Sequence, residues 1–446
     1  MKRLTFKSGF ISRDGLDFVN QRKFMREALL EVCSPKEVTI PMKQHVGTPC
    51  DPVVAVGDSV AMGDTVGMPA DMGGVPVHAS ISGTVTKIDT IRLPNKVSCK
   101  AVTIKNDLHR RVSPRIRARK DFSSLSMEEM SKLLWASGIC GMGGEGVPTY
   151  TKCMRAKNLG VDTLLVNCTQ SEPFLSCDLH HVRVNASKVL QGAMALSGIC
   201  RVKRVIFCIE DTWTDEIVAL NQAVENAKHR YLDRKIEVKL FKPRFPQGCQ
   251  QLLIKALYGV ELALGTQPEE VVKAVVFNAS TCFAFSEMIE KNQPLTSRIV
   301  TISGDTITGH NVLVPIGTSV AEILERVPGA HSAQRVAWGG AMTGVAIDRL
   351  DVPIIKTTAA ITIIRKFEPP RTNCIHCGSC IGACPVGLSP ILLNRLIELG
   401  QTDQLSTESV EQCIACGACS YVCPAGIELS TNIAKAAHRA RRSGRK

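Results

Sequence analysis

The sequence predicts a multidomain protein of mixed α/β and α+β class, built from four folded units. A chain of 446 residues is too long for one ordinary hydrophobic core. Its pattern changes from short apolar runs cut by turn residues, through alternating strand and helix segments, to a final part rich in cysteine and helix formers. These changes predict, in order, a β barrel-sandwich hybrid, a parallel α/β domain, a β-grasp module and a small helical domain.

Composition restricts the class of protein. Hydrophobic residues make up 44% of the chain and charged residues 21%, as in folded soluble proteins, and no apolar run approaches the length of a membrane-spanning helix. Charges interrupt the region where a signal peptide would be apolar, so we expect a cytoplasmic protein. The net charge is +13, but aromatic residues make up 4% of the chain and show no base-stacking pattern, which disfavours nucleic acid as a partner.

The barrel-sandwich unit is predicted at residues 37–108, after an N-terminal extension at 1–36. Short apolar runs there are separated by Gly, Pro and Asp, which is the spacing of an all-β unit. We interpret His45 and His78 in this unit as structural hydrogen-bonding residues. Within the extension, "NQRKFMREALLEV" at 20–32 predicts an amphipathic helix.

A basic linker at 109–123 leads into the α/β domain predicted at 124–292. Apolar strand candidates such as "VDTLLVN" and "VKRVIFCIE" alternate there with helical stretches, which is typical of a parallel sheet. Residues 293–365 follow as strand, turn, strand and a helix beginning near Ser319. This order predicts a β-grasp module of the SLBB type.

Two cysteine motifs of the form C-x2-C-x2-C-x3-C-P lie in the domain predicted at 366–434, before a basic tail at 435–446. In two-cluster ferredoxin domains with this spacing, three thiolates of one motif and the fourth of the other hold each 4Fe-4S cluster. The expected ligand sets are Cys374, Cys377, Cys380 and Cys423 for one cluster, and Cys413, Cys416, Cys419 and Cys384 for the other. Two zinc sites are the alternative, but zinc sites use two separated cysteine pairs.

The motifs together resemble the RnfC family, the peripheral subunit of the ion-translocating ferredoxin:NAD oxidoreductase complex. The resemblance extends from Val38 to the tail and is carried by both cysteine motifs and by "IPMKQHVGTPCDPVVAVGDSV", "GMGGEGVPTYTK", "NCTQSEPFLSCD", "FPQGCQQL", "WGGAMTG" and "DVPIIKTTAAI". The flavin subunit of complex I and the cobalamin reductases of microcompartments are more distantly similar. The resemblance implies FMN and NAD(H) in the α/β domain, since a flavin converts two-electron hydride chemistry into one-electron transfer.

The resemblance also implies which residues bind the nucleotides. Glycines allow the backbone to approach a ligand closely and to offer N–H groups to phosphate. The matching positions are four loop glycines, the lysine after them and polar residues of the next motif: Gly141, Gly143, Gly144, Gly146, Lys152, Asn167, Glu172 and Asp178. No catalytic side chain is assigned.

Three nucleotide motifs depart from the family pattern. The glycine loop has Glu145 and Val147 where the family has alanine and an aromatic residue. The next two motifs have Gln170 and Gln250 in place of acids, and Cys249 replaces a glycine. A carboxylate beside phosphate-binding amides repels phosphate.

These observations predict an electron-transfer iron-sulfur flavoprotein that moves electrons between NAD(H) and a ferredoxin-like or membrane-complex partner. It would then be an NADH-linked oxidoreductase subunit, peripheral on the inner face of the cell membrane. One alternative is an adapter with a degenerate FMN and NADH site that feeds a partner reductase through its clusters. A cobalamin-reductase-like protein is the other alternative.

Overall fold

A computed structural model describes residues 3–5, 29–32, 34–119, 124–263, 265–330, 335–365 and 371–443. Strands within these ranges form one six-stranded, two four-stranded and one three-stranded sheet. They are followed by a helical domain that carries the cysteine motifs. The multidomain α/β and α+β architecture predicted from the sequence is confirmed.

The first strand, β1 (Leu30–Glu31), corrects the helix predicted at 20–32. Residues 20–28 lie outside the described residues, but Leu30 pairs in parallel register with Val312 of the β-grasp sheet. The backbone N–H of the fully buried Val32 donates to the Leu313 carbonyl oxygen at 2.9 Å. Pairing with the open edge of that sheet satisfies backbone groups on both strands, and this long-range gain outweighs a local helical pattern.

The barrel-sandwich unit consists of two facing antiparallel sheets, ordered β2-β8-β7-β4 and β3-β5-β6. Alternate residues of β2, Val38 and Ile40, are fully buried and pack with Val102 and Ile104 of β8. This period-2 burial is what the alternating sequence requires of a half-buried strand. The strands are β2 (Glu37–Pro41), β3 (Cys50–Pro52), β4 (Ser59–Val60), β5 (Thr65–Pro69), β6 (Val77–His78), β7 (Gly83–Arg92) and β8 (Ser98–Asn106).

The α/β domain is a four-stranded parallel sheet, ordered β11-β10-β9-β12, with helices on its faces. Every residue of β9 is buried, as expected for a strand covered on both faces. The elements are α1 (Met127–Ala136), α2 (Thr149–Asn158), β9 (Thr163–Asn167), α3 (Cys177–Cys200), β10 (Arg204–Glu210), α4 (Thr214–Ala227), β11 (Lys235–Phe241), α5 (Gln250–Tyr258), α6 (Pro268–Val271), β12 (Ala274–Asn278) and α7 (Ala279–Lys291).

The register of this sheet positions the candidate site. Parallel strands end at one edge, so Asn167 of β9 lies beside Cys208 of β10 and Asn278 of β12. In open α/β sheets, ligands bind in the crevice outside these carboxyl ends. A capping box between Ser126 and Glu129 begins α1, which leads into the glycine loop above that edge.

The β-grasp module adds a mixed six-stranded sheet, ordered β1-β14-β13-β17-β15-β16. Its helix begins directly after Ser319, whose hydroxyl accepts the Glu322 backbone N–H, as the sequence predicted. The elements are β13 (Ser297–Gly304), β14 (His310–Pro315), α8 (Val320–Leu324), β15 (Arg335–Trp338), β16 (Val345–Ile347) and β17 (Ala360–Ile364).

The C-terminal domain packs short helices around a core that includes Leu393, Val410 and Leu429. Its last helix runs through position 434, and the Arg441 guanidinium donates to the Glu411 carbonyl oxygen at 2.9 Å, so this part of the basic tail belongs to the fold. The helices are α9 (Ser379–Ala383), α10 (Pro390–Glu398), α11 (Thr402–Thr407), α12 (Ala418–Tyr421) and α13 (Leu429–Ser443).

A buried lysine joins three of the units. The Lys356 ammonium, 1% exposed, donates to the carbonyl oxygen of Pro76 in the barrel at 2.8 Å and to that of Gly138 in the α/β domain at 2.7 Å. Burial lowers the pKa of this lysine. Its backbone N–H donates to Gln44 at 3.0 Å, so one residue of the β-grasp module holds the barrel against the glycine loop.

Candidate functional site

The glycine loop closes on itself through backbone hydrogen bonds. Gly141 N–H donates to the Val147 carbonyl oxygen at 2.8 Å, and Gly146 N–H donates to that of Gly141 at 3.2 Å. Gly144 has φ +110° with open space where a Cβ would stand, and Gly146 has φ +67°. Both conformations favour glycine, so the shape of the turn explains why the motif has glycine at these two positions.

This turn leaves three successive N–H groups available. Among the described residues, no acceptor is hydrogen-bonded by the backbone N–H of Gly143, Gly144 or Glu145. The loop packs closely against the edge of the sheet. A Cβ added at Gly143 would lie only 2.4 Å from the Asn278 side-chain amide. Successive free N–H groups in a turn form a concave site for an anion, so the loop fits the phosphate of a nucleotide.

The lysine after the loop faces two of the residues that depart from the family pattern. Lys152 Nζ lies 3.7 Å from Glu145 Oε2 and 3.3 Å from Gln250 Oε1. The lysine side chain is 8% exposed and that of Glu145 is 52% exposed. The carboxylate therefore neutralises the cation that would otherwise face a phosphate.

The remaining predicted nucleotide residues are hydrogen-bonded to the protein itself. Asn167 Nδ2 donates to the Gly248 carbonyl oxygen at 2.9 Å, and the Asp178 carboxylate accepts the Ser280 backbone N–H at 2.7 Å. Burial raises the pKa of Asp178. Asn167 therefore holds the turn at Gly248, and Asp178 of α3 holds the first turn of α7.

Glu172 connects the α/β domain to the β-grasp module. Its carboxylate, buried at 8% exposure, accepts the Met342 backbone N–H at 2.8 Å and the Thr343 hydroxyl. Burial raises its pKa, while these hydrogen bonds oppose the rise. The loop that it holds, "GGAMTG", packs so closely that a Cβ at Gly340 would meet the Glu172 side chain at 2.3 Å.

Gln170 occupies a fully internal position. Its backbone N–H donates to the Glu210 carboxylate at 3.3 Å, and its side-chain amide donates to the Leu175 carbonyl oxygen at 2.5 Å. Burial raises the pKa of Glu210 to about 7. An acid at position 170 would stand close to this second buried acid, and the neutral amide avoids that repulsion.

The eight motif cysteines line two cavities, four cysteines in each, and their role as cluster ligands stays a prediction. Cys374, Cys377, Cys380 and Cys423 line one cavity of about 200 Å³. Cys384, Cys413, Cys416 and Cys419 line a second cavity of about 20 Å³. Each set combines three thiols of one motif with the fourth thiol of the other. In the described chain, no three His, Cys, Asp or Glu side chains converge on a point where they could hold a single metal ion.

The two sets repeat the same backbone geometry. His376 and Ala415 have φ of +54° and +55°, and each donates its N–H to the sulfur two residues earlier at 3.4 Å. Gly378 and Gly417 follow with φ of +74° and +81°. Backbone N–H groups aimed at the sulfurs stabilise added negative charge, so both sites suit iron-sulfur clusters.

The second cysteine set lies against the rest of the molecule. Cys416 packs in one apolar cluster with Phe245 of the α/β domain and Met342 of the β-grasp module. A Cβ at Gly417 would lie 2.9 Å from the Met342 carbonyl oxygen. In the first set, by contrast, Cys377 is exposed and the neighbouring Ile375 is 65% exposed.

The structure brings in residues that the sequence had not assigned. Asn278, Met342, Phe245 and Glu210 all contact the predicted motifs. A polar residue directly after the apolar run "AVVF" was a signal for Asn278, since it marks the carboxyl end of a buried strand. For the other three, which depend on packing between distant segments, no comparable local signal exists.

The two histidines of the barrel differ in their contacts. His45 bonds the backbone of Val46 and Val75 through its two ring nitrogens at 3.0 and 3.1 Å, as expected of a structural histidine. His78 bonds the Ala136 backbone, but its Nδ1 has no partner among the described residues. Burial lowers the pKa of His78 to about 3.

Family models match three parts of the chain. They are described as the RnfC barrel sandwich hybrid domain at residues 12–109, the Nuo51 FMN-binding domain at 134–287 and the 4Fe-4S dicluster domain at 370–424. Together with the glycine loop and the two cysteine sets, these domains define an electron-transfer iron-sulfur flavoprotein. No helix in the described ranges is both long and apolar enough to span a membrane.

The chain belongs to the RnfC family, whose members are components of ion-translocating ferredoxin:NAD(+) oxidoreductase complexes. It is 32% identical to the RnfC protein of the proton-translocating complex of Clostridium ljungdahlii, over 88% of this chain and 84% of that protein. It is also 32% identical to the RnfC protein of the Na(+)-translocating complex of Acetobacterium woodii, over 80% of each. The Vibrio cholerae relative is 30% identical and longer, with 48% of its length covered.

Among solved structures, the chain is similar to an NAD+-reducing [NiFe]-hydrogenase in the H2-reduced state. The TM-score is 0.53 at 14% identity, over 73% of this chain and 64% of that chain. At this identity the likeness concerns the fold alone.

Proposed function

We propose that this chain moves electrons between NAD(H) and a protein partner, using FMN in the α/β domain and two 4Fe-4S clusters in the C-terminal domain. The observation that carries the proposal is the division of eight cysteines into two sets of four thiols, one of them packed against the α/β domain. FMN, when bound, supplies the conversion between hydride and single-electron transfer.

The cluster ligands are proposed as the two sets that line the cavities. Cys374, Cys377, Cys380 and Cys423 would hold one cluster, and Cys384, Cys413, Cys416 and Cys419 the other. Cys416 of the second set packs with Phe245 of the α/β domain and with Met342 of the β-grasp module. The first set presents the exposed Cys377 to solvent. This arrangement suits exchange with the α/β domain at the second set and with a partner at the first.

The nucleotide site is proposed at the glycine loop. The free N–H groups of Gly143, Gly144 and Glu145 would bind phosphate, Gly141 and Gly146 would shape the turn, and Lys152 would supply a positive charge. Asn167 would keep the turn at Gly248 in place, and Asp178 would fix the first turn of α7. Glu172 would act in the same way through the Met342 loop.

The partner is proposed from the relatives. Those proteins are components of proton- and Na(+)-translocating complexes. We place this chain in a similar position, as a peripheral subunit on the cytoplasmic face of a membrane-bound electron-transport complex. Partition of the purified chain onto membranes that contain the complex, and loss of binding at high salt, would support an electrostatic contribution from its basic runs.

A second candidate is an electron-transfer adapter with a weak flavin site. The observation that favours this candidate is the 3.7 Å contact between Glu145 Oε2 and Lys152 Nζ, which places a carboxylate at the proposed phosphate site. In that case the clusters would serve a partner reductase and the α/β domain would act as a scaffold.

One experiment separates the two candidates. The full chain is reconstituted anaerobically with iron, sulfide and FMN, and NADH is added while flavin and cluster absorbance are recorded. Bleaching of both bands by NADH supports the oxidoreductase. Bleaching by dithionite but not by NADH, or failure to retain FMN after gel filtration, supports the adapter and overturns the first proposal.

A further inference from the structure

The peptide unit between Met142 and Gly143 carries one of the free N–H groups of the glycine loop. The Gly143 N–H is the first of the three successive groups that hydrogen-bond no acceptor in the described chain. This peptide is trans, since the cis bond of the described chain lies between Phe245 and Pro246. The C=O and N–H of a trans peptide point in opposite directions. A contact that fixes the Met142 carbonyl oxygen therefore also aims the Gly143 N–H.

A buried arginine of the β-grasp module faces this carbonyl oxygen. Arg298 of β13 is 2% exposed, and its Nη1 and Nη2 each lie 3.4 Å from the Met142 carbonyl oxygen. Each contact is long for a hydrogen bond. Two N–H groups of one cation nevertheless converge on a single oxygen, and contacts from a charged donor are stronger than neutral ones. The guanidinium thus holds the oxygen toward the protein interior.

Other contacts fix the guanidinium in this position. Its Nη1 also donates to the Lys356 carbonyl oxygen, its Nε donates to the Ile299 carbonyl oxygen at 3.2 Å, and it contacts the Cys177 thiol. Within the described residues no carboxylate forms an ion pair with it. Asp178 acts on it at longer range, but that carboxylate is hydrogen-bonded by Ser280. The positive charge therefore remains available to polarise the Met142 carbonyl group.

The other side of Met142 is held by helix α7. The Met142 N–H donates to Oγ1 of the fully buried Thr281 at 3.2 Å. Both the N–H and the C=O of residue 142 are thus hydrogen-bonded, so the two peptides that flank it have a fixed orientation. Lys356 fixes the start of the loop in addition, through its 2.7 Å contact with the Gly138 carbonyl oxygen.

We propose that Arg298 and Thr281 are positioning residues for the phosphate of the bound nucleotide. They orient the peptide between Met142 and Gly143 so that its N–H is aimed at the phosphate, and neither side chain contacts the nucleotide itself. A hydrogen bond accepted by the carbonyl oxygen of a peptide strengthens the N–H of that peptide as a donor. This role rests on the nucleotide site proposed above, and it makes the β-grasp module a part of phosphate binding.

The test compares FMN with riboflavin, which has the same ring and ribityl chain but no phosphate. Each is titrated into the anaerobically reconstituted full chain while flavin fluorescence is recorded. Arg298→Met should weaken FMN about tenfold, as the loss of a hydrogen bond from a charged group predicts, and should weaken riboflavin less than about twofold. Equal weakening of both flavins would show a structural role only and overturn the proposal.

Two further variants test the same peptide with smaller changes. Thr281→Val removes the acceptor of the Met142 N–H at nearly constant volume, and it should weaken FMN about threefold. Arg298→Lys keeps the positive charge and should recover part of the FMN affinity that Arg298→Met loses. An FMN affinity unchanged in all three variants would overturn the proposal. If Arg298→Met does not fold, Thr281→Val and Arg298→Lys decide by the same comparison of the two flavins.

A matched control removes another arginine that binds backbone. Arg234 Nη1 donates to the Val202 carbonyl oxygen at 2.9 Å, before the start of β10 and at the opposite edge of the sheet from the glycine loop. Arg234→Met should lower the Tm and leave the Kd of both flavins unchanged. If the unaltered chain binds FMN no more tightly than riboflavin, the phosphate site proposed above is rejected, and the role of Arg298 is rejected with it.

Discussion

The Glu172 carboxylate accepts the Met342 backbone N–H at 2.8 Å, and the Met342 carbonyl oxygen stands 2.9 Å from the place where a Cβ at Gly417 would lie. One short loop therefore contacts both a motif of the α/β domain and the backbone between two cysteines of the second set. The Glu172 carboxylate, which the sequence predicted to bind a nucleotide, thus hydrogen-bonds the loop on which the cysteine domain packs.

Replacing Glu172 should loosen this loop. Glu172→Ala leaves the part-buried Met342 N–H without its acceptor, at a cost of about 1 kcal/mol. Hydrogen exchange at residues 340–344 should become correspondingly faster. Glu172→Gln keeps an acceptor for Met342 and should retain most of the protection. Unchanged exchange in Glu172→Ala would show that packing alone holds the loop.

Cysteine double variants should reveal that the two motifs share their fourth ligands. Cys380→Ser combined with Cys423→Ser removes two ligands from one set, and it should lower bound iron by about four atoms per chain. Cys419→Ser combined with Cys423→Ser removes one ligand from each set and should affect both clusters. Iron and sulfide analysis with electron paramagnetic resonance distinguishes the outcomes. If the second pair removed a single cluster, each motif would hold its own.

Removing the carboxylate of the glycine loop should strengthen FMN binding. Glu145 is half exposed, so its 3.7 Å contact with Lys152 contributes about 1 kcal/mol or less. Glu145→Ala frees the lysine for phosphate and should lower the Kd for FMN about threefold to fivefold, less at high salt. Fluorescence quenching of FMN measures this change.

Two companion variants control the Glu145 experiment. Glu145→Gln removes the charge at nearly constant size and should match Glu145→Ala. Lys152→Met should weaken FMN binding in either background. An FMN affinity that does not respond to Glu145→Ala would mean that this carboxylate does not compete with the phosphate.

Glu210 should make stability depend on pH. Burial raises its pKa from 4.5 to about 7, so the folded chain holds a proton that the unfolded chain releases between these values. The contribution of Glu210 to the free energy of unfolding is fully present below pH 4.5. It is lost as the pH rises to about 7, and the loss is about 3 kcal/mol at most.

The measurement compares Glu210→Gln with the unaltered chain. The variant lacks the titrating group, so the difference in Tm between the two proteins should shift in favour of Glu210→Gln as the pH rises from 5.5 to 8.5. Calorimetry of the anaerobic protein gives both values. A pH-independent difference in Tm would mean that Glu210 is ionised throughout.

Much of the candidate site was predictable because it depends on local geometry. The glycines at 144 and 146 adopt positive φ, and the two cysteine motifs repeat one backbone pattern, so short-range spacing carried the information. The nucleotide and cluster assignments of these residues remain predictions for the experiments above. The helix predicted at 20–32 is wrong at its C-terminal end. Leu30 pairs there with Val312 at the edge of the β-grasp sheet, so the strand β1 forms instead.

By itself, the sequence predicted the classes of domain, their order and the division of eight cysteines into two sets of four, because spacing and periodicity are properties of adjacent residues. Tertiary structure alone decided what the polar side chains contact. It directed Glu172 toward Met342, and it brought Lys152 between Glu145 and Gln250. These contacts join segments far apart in the chain, and their geometry arises only when the units pack together.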